Sequence, residues 1–242
     1  MIKTEKEIKI IKKSAKVSDS CIKIIEDSLK EDVTEKELKN NIERNIRRQG
    51  ATLAFKTIVA SGKRSALMHT FKETNKVIKG IGYADFGASY KGFKTDITVP
   101  FIKGRTTRLE RNIIDTTLKS YKLAVSSIKL NKYCWKLFLK IYNYEKSCGF
   151  ELKHGLGHGL GKRIHEYPFI VIPKMEKIKR SRKEKKLYDW EKIKKATFQK
   201  NVVFTIEPGV YVKDVGGCRI ENDVLMTNRG PKILTHSRLI EV

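Results

Sequence analysis

The chain has 242 residues, of which 52 are Lys or Arg and 27 are Asp or Glu, for a formal net charge of +25. At 40% hydrophobic and 33% charged it is too apolar for a disordered polycation and too charged for a membrane protein, and its length can bury a substantial core. Thirteen of the basic residues are Arg and the other 39 are Lys, so the excess has two readings: a polyanion-binding surface, or Lys-rich compositional drift lacking the Arg that bidentate phosphate recognition favours.

Cys21, Cys134, Cys148 and Cys218 have no Cys-x-x-Cys spacing, which argues against a disulfide framework and against a zinc ribbon. The N-terminal run is charged from Lys3 onward, and nowhere are there about 18 consecutive apolar residues. A cytoplasmic protein with no membrane association is the expectation.

In chain order, Ile8, Ile11, Ala15, Ile22, Ile25 and Leu29 recur at helical spacing and predict one amphipathic helix over 3–30. Thr34 and Glu37 form a capping-box pattern that opens a second helix over 35–48, which Gly50 ends. Strand-like runs follow at 57–60, 77–82, 83–88 and 95–99, the last two predicting a hairpin around Tyr90-Lys91-Gly92. Helices are expected again over 107–128 and 131–146, and strands over 202–212 and 218–226. The order helix, helix, strands therefore occurs twice without a residue-by-residue repeat. Residues 174–200 interrupt it with 12 basic and four acidic side chains, and their apolar content predicts a partly helical, solvated insertion.

If the first hairpin turns between Tyr90 and Lys91, Asp85 and Asp96 face each other. Alone, such a pair reads more readily as exposed acids beside a turn, but the flanking Phe86, Ile97 and Phe101 suggest strands packed in a core. A second hairpin turning at Asp214 places Glu207 opposite Glu221 in the same way. Packed face to face, the two would converge four carboxylates, which a low-dielectric site tolerates only with about four compensating positive charges, so a pair of divalent cations is implied. A nitrogen donor is available in the Gly-rich stretch His154-Gly155-Leu156-Gly157-His158-Gly159-Leu160-Gly161, where glycines permit close backbone approach, with His165 following.

These runs, together with Thr95-Asp96-Ile97-Thr98, His165-Glu166-Tyr167-Pro168, Glu207-Pro208-Gly209 and Arg219-Ile220-Glu221, resemble the pita-bread metallopeptidases, a family of methionine aminopeptidases, Xaa-Pro aminopeptidases and prolidases. The wording is similar to the proline-specific branch, and the stretch 58–69 to archaeal-type prolidases. The resemblance implies an α+β pita-bread fold filling residues 1–242, with two pseudo-symmetric halves of about 1–105 and 106–242 around a central curved antiparallel sheet. It implies two divalent ions, Mn(II) or Co(II), held by Asp85, Asp96, His158, Glu207 and Glu221. Glu207 is further implied as general base, His69 and His165 as histidines that contact the substrate carbonyl, and Arg219 as a residue that binds substrate or supports the ligands.

The implied activity is hydrolysis of the Xaa-Pro bond at peptide N-termini, as a dipeptidase or as an aminopeptidase. Met68, Val99, Phe169 and Asn222 depart from the family's pattern. Phe169 stands where prolidase-like sequences often carry a basic residue suited to a dipeptide's carboxylate, which tilts the expectation toward longer peptides. Proline-specific members usually carry an N-terminal creatinase-type domain that this sequence lacks, so the chain is expected to act alone, as a homodimer, or with that domain as a separate subunit. The competing readings are a non-catalytic pita-bread module binding RNA, the ribosome or a protein through its basic surface, a methionine aminopeptidase, and a creatinase-like hydrolase. Weak polyanion binding through 174–200 is expected in any case.

Overall fold

The computed structural model describes residues 2–68, 72–172 and 189–242. His69 and most of the 174–200 insertion lie outside the described residues.

Helix α1 (Glu5–Lys30) buries the apolar positions expected from its spacing, and α2 (Glu35–Arg48) has the predicted bounds. Both begin with a complete capping box, Thr4 with Glu7 and Thr34 with Glu37, which satisfies the free amides of the first turn. Next come β1 (Thr52–Leu53), β2 (Ile58–Ser61), a 3-10 turn (Gly62–Ala66), β3 (Gly80–Phe86), β4 (Ala88–Tyr90), β5 (Phe93–Lys94) and β6 (Ile97–Lys103). A third capping box, Thr107 with Glu110, opens α3 (Arg108–Ser127), and α4 (Cys134–Ser147) follows. The chain continues through β7 (His158–Gly159), β8 (Glu166–Phe169), the short α5 (Trp190–Lys195), β9 (Val203–Ile206), β10 (Gly209–Val212), β11 (Gly216–Arg219), β12 (Asn222–Thr227), β13 (Gly230–Ile233) and β14 (Ile240–Glu241).

The central sheet is divided. A four-stranded ladder runs β14-β6-β3-β2, a five-stranded one β13-β12-β9-β7-β8, and two small ladders pair β10 with β11 and β1-β4-β5. All pairs are antiparallel except β14 with β6. A bridge between Thr98 and Glu221 joins the two large ladders at the centre, where Glu221 N donates to Thr98 O at 3.1 Å.

The first hairpin departs from the expected register. Lys91 and Gly92 both take positive φ, 48° and 79°, forming the two-residue turn whose twist suits adjoining strands, so Tyr90 pairs with Phe93. The turn therefore sits one residue further along the chain, and Asp85 faces Thr98 instead of Asp96. A shift of two positions keeps the same face, so Asp85 and Asp96 become diagonal neighbours. The second hairpin has the expected register. Gly209 pairs with Arg219 and Ile206 with Asn222, leaving Glu207 and Glu221 opposite each other in the step between the ladders, with Asp214 at positive φ in the turn.

Apolar packing follows this layout. Helices α1 and α2 cover β2, β3 and β6 through Ile25, Leu29, Leu38, Ile42, Val59, Phe86, Ile97 and Val99. Helices α3 and α4 cover β9 and β12 through Ala124, Phe138, Ile141, Phe204, Ile206 and Val224. The N-terminal turns of α1 also reach Leu160, Val203 and Leu225, so this helix serves both ladders.

One polar group is poorly accommodated. Glu145 is fully buried on α4, and neither of its carboxyl oxygens, nor the Oγ of the buried Ser120, has a hydrogen-bond partner among the described residues. Burial pushes its pKa from 4.5 to about 7. The folded state thus holds a proton that the unfolded state releases at pH 4.5, so stability falls as pH rises from 4.5 to about 7 and is constant above. Glu145→Gln is expected to match the parent's melting temperature at pH 4.5. Its unfolding free energy should exceed the parent's increasingly up to pH 7, by about 3 kcal/mol; a pH-independent difference would show the group is already satisfied.

Candidate metal centre

Ligand atoms of Asp96, His158 and Glu221 lie within 4.8 Å of one another, and all three residues are buried. Glu207 adjoins them, its Oε1 3.6 Å from His158 Nε2, the same distance as Asp96 Oδ2. Asp85 is an electrostatic neighbour of Asp96, Glu207 and Glu221, and its Oδ2 is gripped by the guanidinium of Arg219. The five ligand positions expected from the sequence therefore converge, with Asp85 set aside toward Arg219.

Each side chain is placed by an identifiable local cause. His158 enters on β7 between glycines that nothing larger could replace: a Cβ on Gly157 would lie 2.0 Å from Thr205 O, and one on Gly159 2.3 Å from Tyr167 O. His158 Nδ1 donates to Gly159 O at 3.1 Å, leaving the Nε2 lone pair facing the Asp96 and Glu207 oxygens. Asp96 is fixed through its backbone, whose N–H donates to the carboxylate of the buried Asp223 at 3.2 Å. Thr98 Oγ1 donates to Glu221 Oε2 at 2.7 Å while accepting from Arg219 Nε at 3.1 Å.

Arg219 is the organising cation. Only 3% exposed, it spends its donors on Asp85, Thr98, Tyr211 OH at 2.7 Å and Met68 O at 3.3 Å, and its guanidinium lies 4.5 Å from the Tyr83 ring centre. Tyr211 OH in turn donates to His154 Nε2 at 3.0 Å, and His154 Nδ1 lies 3.9 Å from Glu207 Oε2. Neither His154, Thr98, Tyr211 nor Asp223 is among the site residues expected from the sequence. Their signal is the strand period of two, since Thr98 follows Asp96, Thr205 precedes Glu207, and Arg219 and Asp223 flank Glu221 at that spacing.

His165 is exposed, its ring packed edge-on against that of His158 at 4.3 Å between centroids. Phe169 is buried, packed against Tyr167 and clustered with Val171 and Ile193 of α5, so the position that would grip a carboxylate is filled by a core ring. Asn222 is satisfied by Tyr121 OH and Ser237 N.

The electrostatics suit cations. Burial, with mutual repulsion second, raises the pKa values of Asp96, Glu207 and Asp223 well above the usual carboxylate range and that of Glu221 to about 7. Burial and the neighbouring His165 push His158 down to about 3, so its imidazole is neutral and its lone pair available. Asp85 Oδ1 and Glu221 Oε1 are buried without a hydrogen-bond partner among the described residues. Orphaned buried oxygens, a neutral imidazole and crowded carboxylates fit a divalent-metal site.

Comparison with known proteins identifies a family. The model of metallopeptidase family M24 matches residues 9–228. The chain belongs to that family. It is 33% identical over 239 residues to a Xaa-Pro dipeptidase of Pyrococcus horikoshii, covering 97% of this chain and 62% of that protein. Among solved structures, the Xaa-Pro dipeptidase of Bacillus anthracis superposes with a TM-score of 0.86 at 32% identity, covering all of this chain and 64% of that one. The X-Pro aminopeptidase of Thermotoga maritima gives 0.85 at 31% identity, covering all of this chain and 65% of that one. The chain thus spans less than two thirds of the length of these relatives, and its fold is the pita-bread fold. Among the described residues no helix of this M24 member is long and apolar enough to cross a membrane.

Proposed function

We propose that this chain is a dinuclear-metal-dependent exopeptidase that hydrolyses the Xaa-Pro bond at peptide N-termini. The observation that carries the reading is the convergence of Asp96, His158, Glu221 and Glu207 in a chain that aligns over 97% of its length with a Xaa-Pro dipeptidase. Asp85, Asp96, His158, Glu207 and Glu221 would hold two divalent ions, and the set of four carboxylates to one imidazole suits Mn(II) or Co(II). Bound there, the ions supply charge stabilisation and a nucleophile at neutral pH.

The chain's own residues do the rest. Glu207, partly accessible and with its pKa raised, accepts and returns the proton during bond cleavage. His165, exposed on the rim beside His158, reaches the carbonyl oxygen of the scissile bond as charge develops on it. His69 is assigned the same task on the resemblance alone. Arg219 fixes Asp85 directly and Glu221 through Thr98. The named relatives include both dipeptidases and an aminopeptidase, and they give no support to a non-catalytic module.

Protein loaded with Mn(II) or Co(II) is expected to cleave Xaa-Pro substrates and to spare Met-peptides. Xaa-Pro dipeptides and longer Xaa-Pro peptides, assayed in parallel, separate the two exopeptidase modes, and the buried Phe169 predicts the higher kcat/KM on the longer peptides. Failure to cleave any of them, with no metal retained by elemental analysis, overturns the reading.

A further inference from the structure

Lys3 and Glu166 are 163 positions apart, yet their side chains form an ion pair of 2.7 Å with relative side-chain exposures of 4% and 6%. Buried charges of this kind are rare unless paired, and replacing such a pair by apolar groups is often no less stable, so its presence asks for a reason other than stability. The location supplies one. Glu166 opens β8 immediately after His165, and its other carboxyl oxygen accepts the Arg163 N–H at 3.2 Å, closing the turn that carries the histidine. Gly161 N donates to Arg163 O, and Gly161 O accepts from Lys94 N.

The ammonium end lies on a firm base. Lys3 N donates to Asn201 O at 2.8 Å, Ile2 bridges Val202 just before β9, and Thr4 is the N-cap of α1. The pair passes directly under the Gly-rich stretch: a Cβ on Gly161 would lie 2.6 Å from Lys3 Nζ and 2.8 Å from Glu166 Oε1. Gly161 is thus the opening through which the ammonium reaches the carboxylate, and the pair links the start of α1 to the segment between His158 and His165.

We propose that Lys3 is a positioning residue which, by holding Glu166, sets where His165 stands relative to His158. This rests on the role assigned above to His165. His165 rests its ring against His158 and is carried by the turn that Glu166 closes, and a displacement of about 1 Å at such a group costs on the order of 100-fold in rate. Neither member of the pair is one of the proposed ligands, so its loss separates positioning from metal binding.

The test uses the full chain loaded with Mn(II), comparing Lys3→Met, Lys3→Arg and the double variant Lys3→Met/Glu166→Gln on a Xaa-Pro peptide. Lys3→Met strands a buried carboxylate and can fail to fold, whereas the double variant strands no charge. The double variant is expected to fold, to retain its metal and to lose about 10- to 100-fold in kcat with KM within about threefold, and Lys3→Arg to recover part of the loss. Wild-type kcat in the double variant, or a loss that disappears when corrected for folded fraction, overturns the proposal. Hydrogen exchange of residues 161–166 is the readout that does not depend on turnover. Faster exchange there in the double variant, with unchanged exchange in β9, supports the clamp even if the wild type cleaves no Xaa-Pro substrate, a result that would count against the peptidase reading alone. Unchanged exchange at 161–166 overturns the clamp.

Discussion

Asp96→Asn is expected to melt above its parent in chelator and below it in excess metal. In chelator, Asp96, Glu207, Glu221 and Asp223 crowd one buried volume, and their raised pKa values mean that folding binds protons there. Stability is lost as pH rises from the ordinary carboxylate range, through about 7 for Glu221, because the metal-free fold must either bury these charges or take up protons to neutralise them. Asn at position 96 carries neither cost, and the variant should melt higher than its parent in chelator. With excess Mn(II) or Co(II) the parent gains about 4 kcal/mol at a thousandfold excess over the dissociation constant. For a domain of this size that is a rise of about 10 °C in melting temperature. The variant, short of a ligand, should gain only a fraction of that and melt below the parent. Calorimetry of both proteins in both conditions at pH 8 checks it. A variant that tracks its parent in chelator and in metal alike would show that Asp96 neither repels its neighbours nor holds an ion.

The same carboxylates mark how far the sequence could be read. Helix α2 has its predicted bounds because Thr34 and Glu37 define a capping box, a signal confined to four residues. The second hairpin has its expected register because Asp214 marks the centre of its turn. The first hairpin was misplaced by one turn residue because Tyr90-Lys91-Gly92 allows two centres, and only pairing shows that Lys91 and Gly92 take the positive φ values. The faces survived that error because side chains alternate with period two, which is why the convergence of Asp85 and Asp96 was legible and their direct opposition was wrong. What could not be read is set by tertiary neighbours. The Asp223 carboxylate accepting the Asp96 N–H, Tyr211 between Arg219 and His154, and Lys3 paired with Glu166 beneath Gly161 depend on tertiary neighbours and strand partners that no local pattern specifies. The short β7 and β8 escaped notice for a related reason: their glycines and the polar residues between them read as loop, and only the cover of β9 makes them strands.

Glu207→Gln should produce the largest loss of activity, about 1000-fold or more in kcat, within a protein that still folds. Glu207 shares with Asp96 a 3.6 Å approach to His158 Nε2 but differs from it in two ways: its Oε2 is also 3.9 Å from His154 Nδ1, and its side chain is 18% exposed, against 9% for Asp96. A group that exchanges a proton with substrate needs that access, whereas a group that only fixes an ion does not. Gln preserves the shape and one acceptor oxygen, so the backbone hydrogen bond from Glu207 N to Leu156 O at 2.9 Å and the surrounding β9 ladder are undisturbed. Metal content measured beside kcat divides its two assigned roles. Retained metal with lost turnover isolates the proton-transfer role, and lost metal assigns the effect to ligation. Turnover within tenfold of the parent would remove both assignments from Glu207.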